Sequence, residues 1–298
     1  MKLIKPSHKI LNQSPGLQGI YEQIELAGRT CYASSHKIQY QENNTCNGSI
    51  STTAKDFVNR MIASKHYAML EHGTVYLTLE GIIKPFVGPS NFGKYLENPY
   101  SRVVFGEGTT FYITTNYRVL VENGWLNDLK YLCEPTEFHE KRVTVRFTTD
   151  RGVSHEFVRH RVFSFAQEST RYCNYSKDKF GNELTFIIPS WVDSEAKTID
   201  TTKGFGVSPG EELFAFLGKS ERHYFKLLEL GWTPQQARQV LPNALKTELV
   251  MTGFVSDWQY LFRLRTSFLA ETGKPHPDMS NLCDPLYKEF VKRGFIEK

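Results

Sequence analysis

The feature that most limits what this chain can fold into is the order of its apolar patterns. Helical and period-two spacings are mixed, without a repeating strand–helix–strand alternation. Residues 17–33 place Ile20, Ile24, Leu26 and Ala27 at helical spacing, and residues 54–65 place Phe57, Met61 and Ile62 likewise, so both stretches predict helices. Thr74-Val75-Tyr76-Leu77-Thr78-Leu79 is rich in β-branched and aromatic residues and reads as a strand. Residues 82–140 are irregular in character, loop-like over 88–102 and with a helix over 116–132. Residues 142–148 alternate as a strand should, and Gly152 leads into a helix through 155–163. A polar loop over 173–184 precedes a short buried strand at 186–189. Two long helices are predicted over 210–230 and 234–253. Gly231-Trp232 ends the first, and Thr233 caps the second with Pro234 in its first turn. Further helices are predicted over 258–270 and 284–294. There is no GxGxxG and no Gly-rich phosphate loop, which argues against a doubly wound nucleotide fold. The expected class is α+β: a mixed or antiparallel sheet packed with long helices, in a single domain spanning 1–298.

The net charge of +4 gives no strong polyanion field, and nucleic-acid binders show a denser basic stripe. Aromatic residues make up 13% of the chain, with 21 Phe and 15 Tyr; they suit both a core and the stacking of planar ligands. The five cysteines (Cys31, Cys46, Cys133, Cys173, Cys283) are scattered, with no metal or redox spacing. They fit free thiols in a reducing compartment. The first residues carry no apolar stretch of signal-peptide length, and no run is long enough to span a membrane. A cytoplasmic location is expected.

Chemistry concentrates in residues 151–172, RGVSHEFVRHRVFSFAQESTRY. Arg151, Arg159, Arg161 and Arg171 offer permanently charged forks suited to phosphate, and Ser169 can donate a hydroxyl to the same anion. On a helix, Arg159 and His160 would point about 100° apart, toward different groups. His155 and His160 superficially suggest a zinc hydrolase. That site needs histidines at i and i+4, whereas these stand at i and i+5, so no metal is expected. Composition alone leaves two other readings open, a solvated basic helix and a nucleic-acid patch in which arginines and aromatics hold stacked bases.

The spacing of the cluster is more specific than its composition. Arg159-His160-Arg161, seven residues, then Ser169-Thr170-Arg171-Tyr172 resembles the signature of flavin-dependent thymidylate synthases. The flanking His155-Glu156, Ser164 and Gln167 are similar as well. So are Arg29-Thr30-Cys31-Tyr32, His66 to His72, Ala237-Arg238-Gln239-Val240-Leu241-Pro242 and Leu264-Arg265. The resemblance implies a fold of the thymidylate-synthase-complementing type and the reductive methylation of dUMP to dTMP. It implies FAD contacts from His66, Glu71, Arg159, His160 and Arg161, with His72 a weaker candidate. It implies dUMP contacts from Glu156, Gln167, Ser169, Arg171, Arg238 and Arg265. Arg265 would lie on the uracil ring as the catalytic residue, where a guanidinium favours negative charge.

NADPH and methylenetetrahydrofolate are the implied co-substrates, with hydride supplied through FAD and no covalent protein nucleophile. Cys173, near the motif, reads as a bystander thiol. The resemblance also implies a homotetramer with shared active sites, in which Ser169 and Arg171 serve a neighbour. The pattern departs from the family at Phe254–Trp258 and at 270–277. The stretch after His72 is far longer than in compact members, which implies an insertion within about 80–145.

Overall fold

The computed structural model describes residues 1–43, 48–80, 93–192 and 208–297, with the backbone alone at 42–43 and 48–50. Part of the expected insertion, 81–92, and part of the loop expected over 88–102 lie outside the described residues. The architecture is α+β, built on a four-stranded antiparallel sheet. Its order is Ser7–Leu11, Arg142–Asp150, Lys246–Phe254, Ser164–Gln167. A three-stranded antiparallel sheet runs Thr74–Leu79, Phe111–Asn116, Arg102–Phe105. Two smaller pairs join Lys2–Ile4 to Thr185–Ile187 in parallel, and Tyr40–Asn43 to Gly48–Ser51 in antiparallel.

The Lys246–Phe254 strand explains the layering. Successive residues point to opposite faces. Val250 enters one core with Ala166, Ile20, Ile24 and Leu77. Leu249 and Met251 enter a second with Val145, Phe147, Trp258 and Phe290. The sheet therefore separates the Gly16–Cys31 and Ala54–Ala63 helices from the Arg151–Phe157, Val255–Arg265 and Pro277–Lys292 helices. A third core packs Tyr175, Phe186 and Leu245 against Phe214, Leu217 and Tyr224 of the Pro209–Glu229 helix. Gly253 is required where it stands: a Cβ there would meet the Phe163 ring at 2.4 Å. That ring packs edge-on to Trp258 at 4.7 Å.

Several expected helices are shorter than their patterns suggest. The 234–253 helix is in fact Pro234–Ala237, a 3₁₀ turn over Arg238–Val240, and then the Lys246–Phe254 strand. Pro242 cannot continue a helix, and Thr247, Val250 and Thr252 are β-branched residues that pack well in a sheet. The 116–132 helix breaks at Gly124, whose φ is +71°, into Tyr117–Glu122 and a 3₁₀ turn at Leu126–Tyr131. The helix expected over 258–270 is Val255–Arg265, and the last helix starts early, with Pro277 in its first turn.

His72 is fully buried under this sheet. Its Nδ1 lies 2.8 Å from Thr252 Oγ1, which lies 2.8 Å from Thr144 Oγ1. Burial, and then the charge of Arg142, hold its pKa down from 6.5 to about 3. Between those values the unfolded chain binds a proton that the folded chain refuses, so this contribution is complete above pH 6.5 and lost as pH falls toward 3. By pH 5 the loss from this site is about 2 kcal/mol. Urea unfolding at pH 7 and pH 5 should show that drop, and His72→Asn should flatten it. Equal pH slopes in the two proteins would refute the assignment.

Candidate active site

The helix Arg151–Phe157 starts where the Arg142–Asp150 strand ends. Asp150 caps it, accepting from Val153 N at 2.8 Å, and Phe157 stacks on Phe147 at 4.3 Å. The helix then stops, short of the predicted 163. Arg159 N donates to Glu156 O at 3.4 Å, His160 N to Phe157 O at 3.0 Å and Phe163 N to His160 O at 3.2 Å. This turn is needed because Phe163 must pack against Gly253, and Ser164 must pair with Thr252. Arg159-His160-Arg161 thus occupies a turn. Arg159 and Arg161 are exposed, while His160 is buried at 8% exposure.

His160 meets Arg265, the last residue of its helix. Arg265 Nε donates to His160 Nε2 at 3.0 Å, and Arg265 Nη1 donates to Glu156 Oε2 at 2.8 Å. An Nε2 that accepts places the ring proton on Nδ1. Burial first, then the charges of Arg265 and Arg159, hold the imidazole pKa down to about 4. His160 is therefore neutral near pH 7 and serves as an acceptor. Two N–H groups of Arg265 are committed to this cradle, and the remaining three donors of the fork have no hydrogen-bond partner among the described residues.

Gln167 Nε2 donates to Ser154 Oγ at 2.8 Å and to Thr247 Oγ1 at 3.3 Å, which ties it to the helix that carries Glu156. Ser169 heads a turn in which Arg171 N donates to Ser169 Oγ at 3.3 Å. The exposed Arg171 donates through Nε to Gln235 Oε1 at 2.7 Å. Gln235 sits on the short helix immediately before Arg238, which is also exposed. The structure thus brings together Glu156, His160 and Arg265, and separately sets Ser169 and Arg171 beside the segment bearing Arg238. Glu71 is held elsewhere, with Arg118 Nη1 at 2.5 Å on its carboxylate and Arg142 Nη1 at 3.0 Å on its carbonyl. Half-buried His66 precedes the same turn. No hydrogen bond or ion pair joins His66 or Glu71 to the Arg159–Arg161 turn among the described residues. The cavities of about 280 and 340 Å³ contain none of these site residues.

The thymidylate synthase complementing protein family matches residues 118–293, more than half of the chain. The chain belongs to this family. A probable flavin-dependent thymidylate synthase of Paramecium bursaria Chlorella virus 1 is 29% identical over 155 residues, covering 51% of this chain and 69% of the viral protein. The flavin-dependent thymidylate synthase of Corynebacterium efficiens is 32% identical over 124 residues, 39% of this chain and 46% of its own. The chain thus spans about half the length of such bacterial relatives. A solved UMP/dUMP methylase from Streptomyces cacaoi aligns over 98% of this chain and 93% of its own, at 14% identity and a TM-score of 0.44, too low to build on.

Within the thymidylate synthase complementing family match lie all the expected site residues except His66, Glu71 and the weaker candidate His72, which precede it; His72 is fully buried against Thr252. The match begins at Arg118, inside the stretch expected to be an insertion. Sequence reasoning passed over Ser154, Gln235, Arg118 and Arg142, whose contacts cross up to 71 residues of chain. Arg118 had one local signal, a carboxylate four residues on at Glu122, which it grips at 2.8 Å.

Proposed function

We propose that this chain is a flavin-dependent thymidylate synthase, converting dUMP to dTMP with methylenetetrahydrofolate as carbon donor and NADPH as reductant. The observation that carries this reading is the cradle of Arg265, gripped by Glu156 and a neutral His160 with part of its fork left free. A preorganised cation at the uracil ring stabilises the negative charge that develops when C5 becomes nucleophilic. Ser169, Arg171 and Arg238 are assigned to the phosphate, and Gln167 and Glu156 to polar edges of the nucleotide. Arg265 then serves as the catalytic residue.

The residues present fit a flavin dinucleotide. Arg159 and Arg161 are exposed and have no ion-pair partner among the described residues, and a paired guanidinium set suits a pyrophosphate. They, with His66, Glu71 and His160, are the residues that would hold FAD. When bound, the flavin supplies the hydride that completes the methyl group. Cys173 is buried and its thiol is pushed up to about 12, which keeps it protonated and unsuited to attack on the pyrimidine. The reading as a nucleic-acid patch is not favoured, because Arg151 turns back to the Glu168 carbonyl at 3.5 Å and does not extend an outward stripe.

The same reading takes the protein as a cytoplasmic homotetramer with shared sites, one domain per chain, with residues of about 80–145 as an insertion. No helix among the described residues is long and apolar enough to cross a membrane. The deciding experiment is tritium release from 5-tritiated dUMP with methylenetetrahydrofolate, NADPH and FAD. Release is expected from a yellow protein whose visible absorbance bleaches with NADPH and recovers in air. A folded, flavin-loaded protein that releases none would sink the proposal.

A further inference from the structure

The turn that carries Ser169 and Arg171 is anchored by a residue not assigned to either ligand. Between Gln167 and Ser169 stands Glu168, whose carboxylate turns inward and is 3% exposed. A carboxylate so buried is tolerated only when it is paired and hydrogen-bonded. Its Oε1 accepts from Tyr175 Oη at 3.1 Å and its Oε2 from Lys246 Nζ at 2.8 Å. Lys246 also lies 3.4 Å from Glu248 Oε1.

The backbone is fixed at the same point. Glu168 N donates to Glu248 O at 2.8 Å, and Ser169 N donates to Cys31 O at 3.0 Å. Side chains alternate along an extended segment, so Glu168 turns to the face opposite Gln167 and Ser169, which are both half-buried. A slip by one residue would bury Ser169 and expel Glu168. Such a slip would break the Glu168–Lys246 pair, the shorter of the two that Lys246 makes, and breaking a buried pair is strongly destabilising.

We propose that Glu168, clamped by Lys246 and Tyr175, is a positioning residue for the phosphate of dUMP. The proposal rests on the reading of Ser169 and Arg171 as phosphate ligands. Glu168 touches no substrate; it acts by fixing the turn that presents their donors. Its loss should therefore weaken recognition of the phosphate while leaving the uracil-side chemistry at Arg265 intact. A buried pair that only holds the core together would disturb all ligands alike.

The test uses the flavin-loaded protein and three variants, Lys246→Met, Glu168→Gln and Lys246→Arg. Lys246→Met and Glu168→Gln are expected to raise the KM for dUMP about tenfold while kcat stays within about twofold. Deoxyuridine, which lacks the phosphate, should inhibit both variants with the Ki seen for the unaltered protein. Lys246→Arg keeps the charge and should restore most of the dUMP affinity. An unmoved KM in both variants overturns the clamp, as does an equal weakening of dUMP and deoxyuridine. If the unaltered protein turns over no dUMP, the functional reading falls with it; normal turnover with an unmoved KM removes the clamp alone.

Discussion

Arg265→Lys is expected to lower kcat for dTMP formation by about 10²–10³-fold, the scale of losing a preorganised donor at developing charge. The substitution keeps the positive charge, so a simple charge count predicts little effect. The geometry predicts a large one. Arg265 reaches Glu156 through Nη1 and His160 through Nε, with the two acceptors on either side of one planar fork. An ammonium is a point charge with three donors; it cannot span both acceptors and still present donors outward. His160, half of this cradle, is held neutral by burial first and then by the charges of Arg265 and Arg159, so it remains an acceptor in the lysine variant, but one that the ammonium cannot share with Glu156. The side chain is half-buried at the end of its helix, and the core residues Trp258, Leu261 and Phe262 are untouched, so flavin loading and melting temperature should change little. Steady-state kinetics at saturating dUMP checks the point. A kcat within about threefold of the unaltered protein would remove Arg265 from the chemical step.

Local pattern was a good guide to this fold where one element carries one pattern. The helix expected over 17–33 is Gly16–Cys31, and the strand expected at 74–79 is Thr74–Leu79. The pattern misled where two cores compete for the same residues. Lys246–Phe254 is buried on both faces, so its apolar run has no period-two signature and borrowed a helical one from Ala237, Val240 and Leu241 upstream. Pro242 marks the boundary, between the Arg238–Val240 turn and the Lys246–Phe254 strand. The Arg151–Phe157 helix was overextended for a related reason. Phe163 looks like the next apolar turn of a helix, but its place is against Gly253, a contact across 90 residues that no local window contains.

The candidate residues could be named from the sequence because the spacing of Arg159-His160-Arg161 and Ser169-Thr170-Arg171-Tyr172 resembles a family signature; their roles are proposals. What holds them could not be named in this way. Glu168 stood inside the motif, yet its partners Lys246 and Tyr175 carry no signature. The separation of Arg159 from His160 was anticipated from helical geometry; in the structure a turn produces it, with one side chain exposed and the other buried against Arg265.

Arg171→Ala is expected to raise the KM for dUMP by between about tenfold and about a hundredfold, the range for losing a hydrogen bond to a charged group. The side chain is exposed and its contact to Gln235 is at the surface, so the variant should fold and keep its flavin. His66→Ala, by contrast, should lose flavin affinity. The two defects permit a test of how sites are assembled. Arg159, Arg161, Arg171 and Arg238 are all exposed, so the donors assigned to the two ligands are open to solvent. A ligand that must be shielded from water during hydride transfer needs a second wall, and another copy of the chain is the proposed source. If His66 and Arg171 of one site come from different copies, random mixing of the two variants rebuilds about a quarter of the sites intact. Co-refolded mixtures assayed at low dUMP should then regain activity that neither variant shows alone. If both residues of a site come from the same chain, no proportion of the two variants restores it, because every site then carries one defect or the other.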